Sequence, residues 1–152
     1  MSLKNWRDNG WLVEHQTSQQ EIAELLKVTD RDLTDCESPG LSPDWQLSIA
    51  YNAALQTATA ALAACGYRAS RDAHHYRIIQ SLAHTIEANS NLINQFDKFR
   101  KKRNIGGYEA AGRISQQEAN EMKSLAKKLQ EQVDNWMRYK HPGLIGRNEI
   151  DK

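Results

Sequence analysis

Residues 42–66, SPDWQLSIAYNAALQTATAALAACG, decide the fold that we predict for this chain. Ser42 is a favourable helix N-cap, Pro43 suits the first helical position, and Asp44 complements the positive end of a helix macrodipole. Gly66 suits the left-handed position that follows a helix C-terminus. The stretch between them is rich in alanine and carries a broad apolar face. It therefore predicts a long helix that its neighbours can approach closely.

Four further segments repeat apolar residues with the period of about 3.6 residues that is typical of an amphipathic helix. Two of them open with a capping-box pattern, in which a serine is followed three residues later by a glutamate: Ser18 with Glu21, and Ser115 with Glu118. The predicted segments run from Ser18 to about Cys36, from about Asp72 to Ala88 behind a Ser70 cap, from about Asn91 to Asn104, and from Ser115 to His141.

The breaks between these segments indicate how the helices are arranged. No segment alternates apolar and polar residues as a half-exposed strand does, and the chain has no internal repeat. Short connections favour antiparallel neighbours, so we expect an all-α, up-and-down bundle of about five helices. The predicted organisation is an N-terminal strap at 1–17, the bundle at 18–141 and a flexible tail at 142–152.

Length and composition exclude several classes of protein. The chain has 152 residues, which is enough for one ordinary domain. No apolar run reaches the ~20 residues of a membrane span. The N-terminal sequence lacks the apolar core of a secretory signal, and Cys36 and Cys65 are far apart and in no metal-binding spacing. We therefore expect a cytoplasmic protein with no metal site, no cofactor and no membrane association.

One segment concentrates the positive charge of the chain. Five of the six residues from Lys98 to Arg103 are basic, whereas the whole chain has 20 basic and 19 acidic residues. Without this run, 15 basic residues face 19 acidic ones, so the rest of the chain is net negative. Arg100, Lys101, Lys102 and Arg103 are therefore candidate phosphate-binding residues. The alternative is a solvated run of charge that complements a helix C-terminus.

Arg103 differs from the basic residues beside it. The spacing i, i+4, i+7 and i+11 places four residues on one helix face: Leu92, Phe96, Phe99 and Arg103. Because Arg103 continues an apolar line, its guanidinium is expected to be half-buried, paired or at an interface. Asn104 follows it and offers an amide at the end of the helix.

The order of these features resembles the HEPN superfamily. The resemblance spans roughly Ser18 to Tyr139, which is nearly the whole predicted domain. It is carried by IAYNAAL at 49–55, GYR at 66–68, HH at 74–75, FDKFRKKRN at 96–104 and the serine-capped last helix.

The resemblance implies an all-α bundle that is commonly a homodimer. Many HEPN domains are metal-independent endoribonucleases, in which a motif of Arg followed a few residues later by His faces its copy across the dimer interface. Others are toxins paired with a nucleotidyltransferase antitoxin, or bind nucleotides or partners without activity. In the motif, Arg holds the scissile phosphate, a polar residue after it supports the Arg, and His is the acid–base group. Arg103 and Asn104 match the first part of this motif.

The second part of the motif departs from the family pattern. Tyr108 stands five residues after Arg103, where the nearest form of the motif has His. Tyrosine has an ordinary pKa of about 10 against about 6.5 for histidine, so it is a poor base at neutral pH but a good donor to phosphate. The departure favours binding over catalysis. His75, which opens a helix that the resemblance places near the motif, is a further candidate for the missing base.

Three functions follow from these observations. The favoured one is a HEPN-like domain that binds RNA or a nucleotide phosphate, or is associated with a toxin–antitoxin pair. The first alternative is a homodimeric, metal-independent endoribonuclease that uses Arg103, Asn104 and Tyr108, helped by His75. The second is a structural dimerisation domain in which Arg103 makes a buried ion pair. The expected partners are a second copy of the chain, RNA or a nucleotide, and a nucleotidyltransferase-type antitoxin.

Overall fold

A computed structural model describes residues 2–105 and 114–145 of the chain. Most of these residues are helical, and two strands of three residues each accompany the helices. In chain order the elements are α1 (Leu3–Asp8), β1 (Leu12–Glu14), α2 (Gln19–Asp35), α3 (Pro43–Ala64), β2 (Tyr67–Ala69), α4 (His74–Ser81), α5 (Ser90–Ile105), α6 (Gln116–Lys140) and a 3₁₀ helix (Pro142–Leu144). The prediction of an all-α helical bundle is confirmed.

Three of the long helices begin where their serine caps predicted. The hydroxyl of Ser42 accepts from the backbone N–H three residues later, at 3.3 Å. Ser115 and Glu118 form a complete capping box, with the two reciprocal hydrogen bonds at 3.0 and 3.1 Å. Ser18 accepts from the N–H of Glu21 at 3.1 Å, but the Glu21 carboxylate accepts from side chains upstream of the helix. These local bonds fix the starts of α2, α3 and α6.

Contacts at both ends of α2 show that it runs antiparallel to α6. Near the start of α2, the side-chain amide of Gln19 donates to the carbonyl of Gly143, beyond the end of α6, at 2.7 Å. Just after the end of α2, Glu37 pairs at 3.4 Å with Lys123 near the start of α6. These two long helices therefore point in opposite directions at this corner of the bundle.

The alanine-rich α3 lies at the centre of the bundle and packs against both α2 and α6. It runs parallel to α6, because Gln116 at the start of α6 donates at 2.7 Å to Gln46 near the start of α3. One face of α3 consists of fully buried alanines at Ala50, Ala54, Ala58 and Ala61. Small side chains let neighbouring helices approach closely, as the sequence predicted.

The N-terminal segment combines a short helix with a strand. In it, β1 pairs with β2 antiparallel, and Leu12 lies opposite Ala69. Trp6 and Leu12 are buried against the bundle. No sequence pattern indicated this short strand pair, which adds to the all-α bundle without changing its class. A three-residue strand shows no usable alternation, and its partner is more than fifty residues away along the chain.

The helix predicted between Asp72 and Ala88 is shorter in the structure, and its predicted cap is wrong. The helix α4 covers only His74–Ser81. The backbone N–H of Ser70 donates to the carbonyl of Trp11 at 3.0 Å, and its hydroxyl donates to the carbonyl of Gly10 at 2.8 Å. Ser70 thus extends the strand pairing instead of capping a helix. The residue that precedes α4 is Ala73, in a left-handed conformation with φ of 52°.

Four helix ends meet at one end of the bundle. The ion pair between Lys102 and Glu118 joins the end of α5 to the start of α6, Gln116 joins the start of α6 to the start of α3, and His75 joins the start of α4 to Tyr51 of α3. None of the helices in the described ranges is long and apolar enough to cross a lipid bilayer.

Candidate functional site

The apolar line on α5 is buried as the sequence predicted. Leu92, Phe96 and Phe99 retain 6%, 0% and 2% of their exposure. The helix is started by Asn89, whose side-chain oxygen accepts from the N–H of Leu92 at 2.8 Å. Arg103 stands one turn beyond Phe99 on the same line and is half-buried. The expectation that its guanidinium is partly withdrawn from water is confirmed.

The guanidinium of Arg103 lies over the ring of Tyr51. Its central carbon is 5.0 Å from the ring centroid, within the range of a cation–π contact. Tyr51 belongs to α3 and is 1% exposed. Its ring packs edge-to-face on Phe96, with centroids 5.6 Å apart. A rigid aromatic surface therefore supports the arginine from inside the bundle.

The same tyrosine holds His75. Its hydroxyl oxygen and the Nδ1 atom of His75 are 3.2 Å apart, and the two ring centroids are separated by 5.9 Å. His75 is in the first turn of α4 and is half-buried. The structure thus brings two of the predicted site residues, Arg103 and His75, into contact with the same tyrosine. That tyrosine is not part of the Arg103 motif, and in the sequence it does not lie between the two residues.

The electrostatics of the cluster favour an uncharged histidine and tyrosine. Burial lowers the pKa of His75, and electrostatic repulsion from Arg103, His74 and Arg100 lowers it further. Burial also raises the pKa of Tyr51 to about 12, against the opposing effect of the two arginines. At neutral pH the cluster therefore consists of a cationic arginine, a neutral imidazole and a neutral phenol.

Three other basic residues of the run have carboxylate partners. Arg100 donates through its Nε to Asp97 at 2.7 Å, and its guanidinium lies 5.5 Å from the ring centroid of Tyr76. Lys101 is 3.6 Å from the same carboxylate, and Lys102 pairs with Glu118. These pairs compensate part of the positive charge of the run.

Arg103 is different in this respect. Among the residues that the structure describes, no carboxylate pairs with its guanidinium. It stands in the last full turn of α5, where the carbonyl end of the helix dipole also attracts a cation. Of the four predicted phosphate-binding residues, Arg103 is thus the one without a carboxylate partner among the described residues.

The roles of two further site residues, Asn104 and Tyr108, stay predictions. Asn104 follows Arg103 within α5. Tyr108 lies outside the described residues, so its predicted role stays a prediction.

Sequence reasoning did not single out two residues that the site depends on. Tyr51 lies in the stretch at 49–55 that carries part of the resemblance to HEPN domains. The feature that could have identified it is a hydroxyl on the buried, alanine-rich face of α3. Asp97 precedes Arg100 and Lys101 by three and four residues, a spacing typical of helical ion pairs. Neither sequence feature shows which helix the side chain contacts.

The rest of the described structure offers no metal site, and several clefts lie away from the candidate site. In residues 2–105 and 114–145, no three side chains of His, Cys, Asp or Glu come together as metal ligands would. A cleft of about 550 Å³ lies at the other end of α3, lined by residues around Glu14, His15, Cys65 and Tyr67. It contains none of the predicted site residues, so its size does not make it the functional site.

Comparisons of the chain with models of protein families, with curated proteins and with solved structures find no match.

Proposed function

We propose that this chain is a HEPN-like domain that binds a phosphate group of RNA or of a nucleotide through Arg103. The observation that carries the proposal is the guanidinium of Arg103, which rests on the buried ring of Tyr51 and has no carboxylate partner among the described residues. The resemblance to HEPN domains identifies the phosphate as that of RNA or a nucleotide.

The geometry suits recognition of a phosphate. A guanidinium that lies against an aromatic ring keeps the N–H groups on its edge available, and these match two phosphate oxygens in a bidentate contact. The ring limits the motion of the arginine, so less conformational entropy is lost when a ligand binds. Arg100, Lys101 and Lys102 precede Arg103 on α5, and the part of their positive charge that Asp97 and Glu118 leave uncompensated attracts a polyanion over a longer range.

The resemblance also supplies the proposed assembly. Two copies of the chain pair so that their Arg103 ends face each other, and a nucleotidyltransferase-type antitoxin is the further partner. Trp45, at the start of α3 and therefore at the same end of the bundle, is 63% exposed. Exposed tryptophan is enriched in protein interfaces, which supports an interface at this end.

The proposal is tested by RNA binding with charge-matched variants. Fluorescence anisotropy with a labelled, single-stranded RNA of mixed sequence compares the wild type with Arg103→Gln and with Arg138→Gln. Arg138 is an exposed arginine near the end of α6, so its variant removes the same charge far from the site. Loss of a charged hydrogen bond is worth about 1.5–3 kcal/mol, so Arg103→Gln is expected to weaken binding by about tenfold or more.

The Arg138→Gln variant is expected to bind RNA like the wild type. Equal affinities for all three proteins would refute the proposal. If Arg103→Gln then also weakened the dimer in analytical ultracentrifugation, a structural interface role for Arg103 would be favoured instead.

Metal-independent cleavage of RNA is a second candidate, and the position of His75 favours it. Imidazole exchanges a proton near neutral pH, and His75 is bonded to the tyrosine that supports Arg103. The test incubates the RNA in the presence of a chelator with wild type, Arg103→Gln and His75→Ala. Cleavage that leaves 2′,3′-cyclic phosphate ends and is lost in both variants would establish the activity. Failure of the folded wild-type protein to cleave the RNA would leave binding as the function.

A further inference from the structure

The hydrogen bond between Tyr51 and His75 fixes more than the position of the imidazole. Tyr51 is 1% exposed, and its phenol is neutral at any pH where the protein would work. Its hydroxyl therefore carries a hydrogen that needs an acceptor inside the protein. In the described part of the chain, the hydroxyl has a single hydrogen-bond partner, the Nδ1 atom of His75 at 3.2 Å.

Only one direction of this bond satisfies the tyrosine. If Tyr51 donates, its hydrogen is bound and Nδ1 of His75 is the acceptor. If Nδ1 donated instead, the phenolic hydrogen would have no acceptor among the described residues, at the cost of a buried, unsatisfied donor. A neutral imidazole that accepts at Nδ1 must carry its hydrogen on Nε2. His75 then presents an N–H group on the edge of the ring that faces away from Tyr51.

We infer that His75 is a second anion-binding residue of the Arg103 site, which donates its Nε2–H to a phosphate oxygen while Tyr51 holds its tautomer. The inference rests on the proposed function, because it adds a donor to the phosphate site proposed for Arg103. It assigns to Tyr51 a positioning role for both donors: its ring supports the guanidinium and its hydroxyl orients the imidazole. The ligand is a phosphate ester of a nucleic acid.

The charges around His75 agree with a neutral donor. From α5 it faces the positive charges of Arg103 and Arg100, and Asp97 is engaged by Arg100. On its own helix, the neighbouring His74 contacts the carbonyl of Ser70. From α3 it faces the neutral hydroxyl of Tyr51. A positively charged ring at position 75 would be repelled by these two arginines, whereas a neutral N–H group adds a hydrogen-bond donor without adding charge.

The tautomer is measured directly in the free protein. A long-range proton–nitrogen correlation spectrum of the histidine rings, assigned with His75→Gln, reports which nitrogen carries the hydrogen. We expect the hydrogen on Nε2 in the wild type and a mixture of tautomers in Tyr51→Phe. A hydrogen on Nδ1 of His75 in the wild type would overturn the inference and leave the proposed function of Arg103 untouched.

The role in binding is measured with three histidine variants and the same labelled RNA. His75→Phe keeps a ring but removes the donor, and we expect binding about tenfold weaker or more, as for the loss of one hydrogen bond to a charged group. His75→Gln places an amide N–H at the position of Nε2 and is expected to recover most of this loss. His74→Phe changes the adjacent, exposed histidine and is expected to bind like the wild type.

The outcomes separate the inference from the proposed function. If Arg103→Gln weakens binding but His75→Phe does not, the inference is overturned and the Arg103 site remains. If His75→Phe and His74→Phe weaken binding equally, a specific donor at position 75 is also refuted. If Arg103→Gln has no effect, the proposed function fails and the inference fails with it. Circular dichroism of each variant verifies that the fold is retained.

Discussion

Tyr51 links two side chains of the candidate site, Arg103 and His75, to the core, and two substitutions separate its contributions. In Tyr51→Phe the ring, which contacts Phe96 and Arg103, is kept and only the bond to His75 is lost. One such bond contributes about 1 kcal/mol, which for a chain of this size lowers the melting temperature by about 2–4 °C. Tyr51→Ala removes a fully buried ring, and comparable aromatic truncations cost about 3–5 kcal/mol.

The assay is urea denaturation followed by circular dichroism, with RNA binding measured on the same samples. Tyr139→Phe is the matched control, because Tyr139 is 81% exposed and its loss of a hydroxyl is expected to change neither stability nor binding. Since Tyr51→Phe keeps the support under Arg103, we expect it to retain most of the Arg103-dependent RNA affinity. If Tyr51→Phe were as stable as the wild type, the bond to His75 would not contribute in solution and the reasoning would be refuted. If it were as unstable as Tyr51→Ala, the ring packing would not be the main stabilising contribution.

Three further predictions follow from the same contacts. Folding lowers the pKa of His75, so the unfolded chain binds more protons, and the contribution of His75 to stability is lost as the pH falls through about 6.5 and below. Arg103→Gln removes one cause of the pKa shift, so the urea midpoint should fall less between neutral and acidic pH than in the wild type. An equal fall in the two proteins would contradict this. Asp97→Asn releases Arg100 from its ion pair, so RNA should bind a few-fold more tightly and with a steeper salt dependence. Weaker binding by the folded variant would show instead that the ion pair orients the site. Ser115→Ala breaks the capping box of α6 and should cost about 1 kcal/mol in urea denaturation, whereas a cost near zero would mean that water replaces the cap.

Local chemistry explains why so much of the fold could be predicted from the sequence. The starts of α2, α3 and α6 are fixed by serine caps within three residues of each helix end, and all three were predicted. The cap predicted at Ser70 failed because its hydrogen bonds go to Gly10 and Trp11, sixty residues away. Local sequence patterns do not indicate a hydrogen-bond partner that is so far away along the chain, so neither the shorter α4 nor the strand pair was predicted.

In the candidate site too, local patterns could be predicted and contacts between distant residues could not. Periodicity alone placed Arg103 on the buried line of α5, and the structure confirms that position. The meeting of Arg103 with His75 depends on Tyr51, which comes from a third helix. Pattern reasoning finds residues on one element, whereas a site built from three elements requires the packing of the whole bundle. The roles of Arg100, Lys101 and Lys102 in phosphate binding stay predictions, now with carboxylate partners that partly oppose them.

The salt dependence of RNA binding shows whether Arg103 contacts a phosphate. A phosphate contact releases counterions, so the logarithm of the binding constant falls with the logarithm of salt concentration by about 0.7 for each phosphate neutralised on a single strand. If Arg103 binds a phosphate, Arg103→Gln should reduce the slope by about this amount, while Arg138→Gln leaves it unchanged. Slopes that are the same for the wild type and Arg103→Gln would contradict the assignment of Arg103 as the phosphate-binding residue.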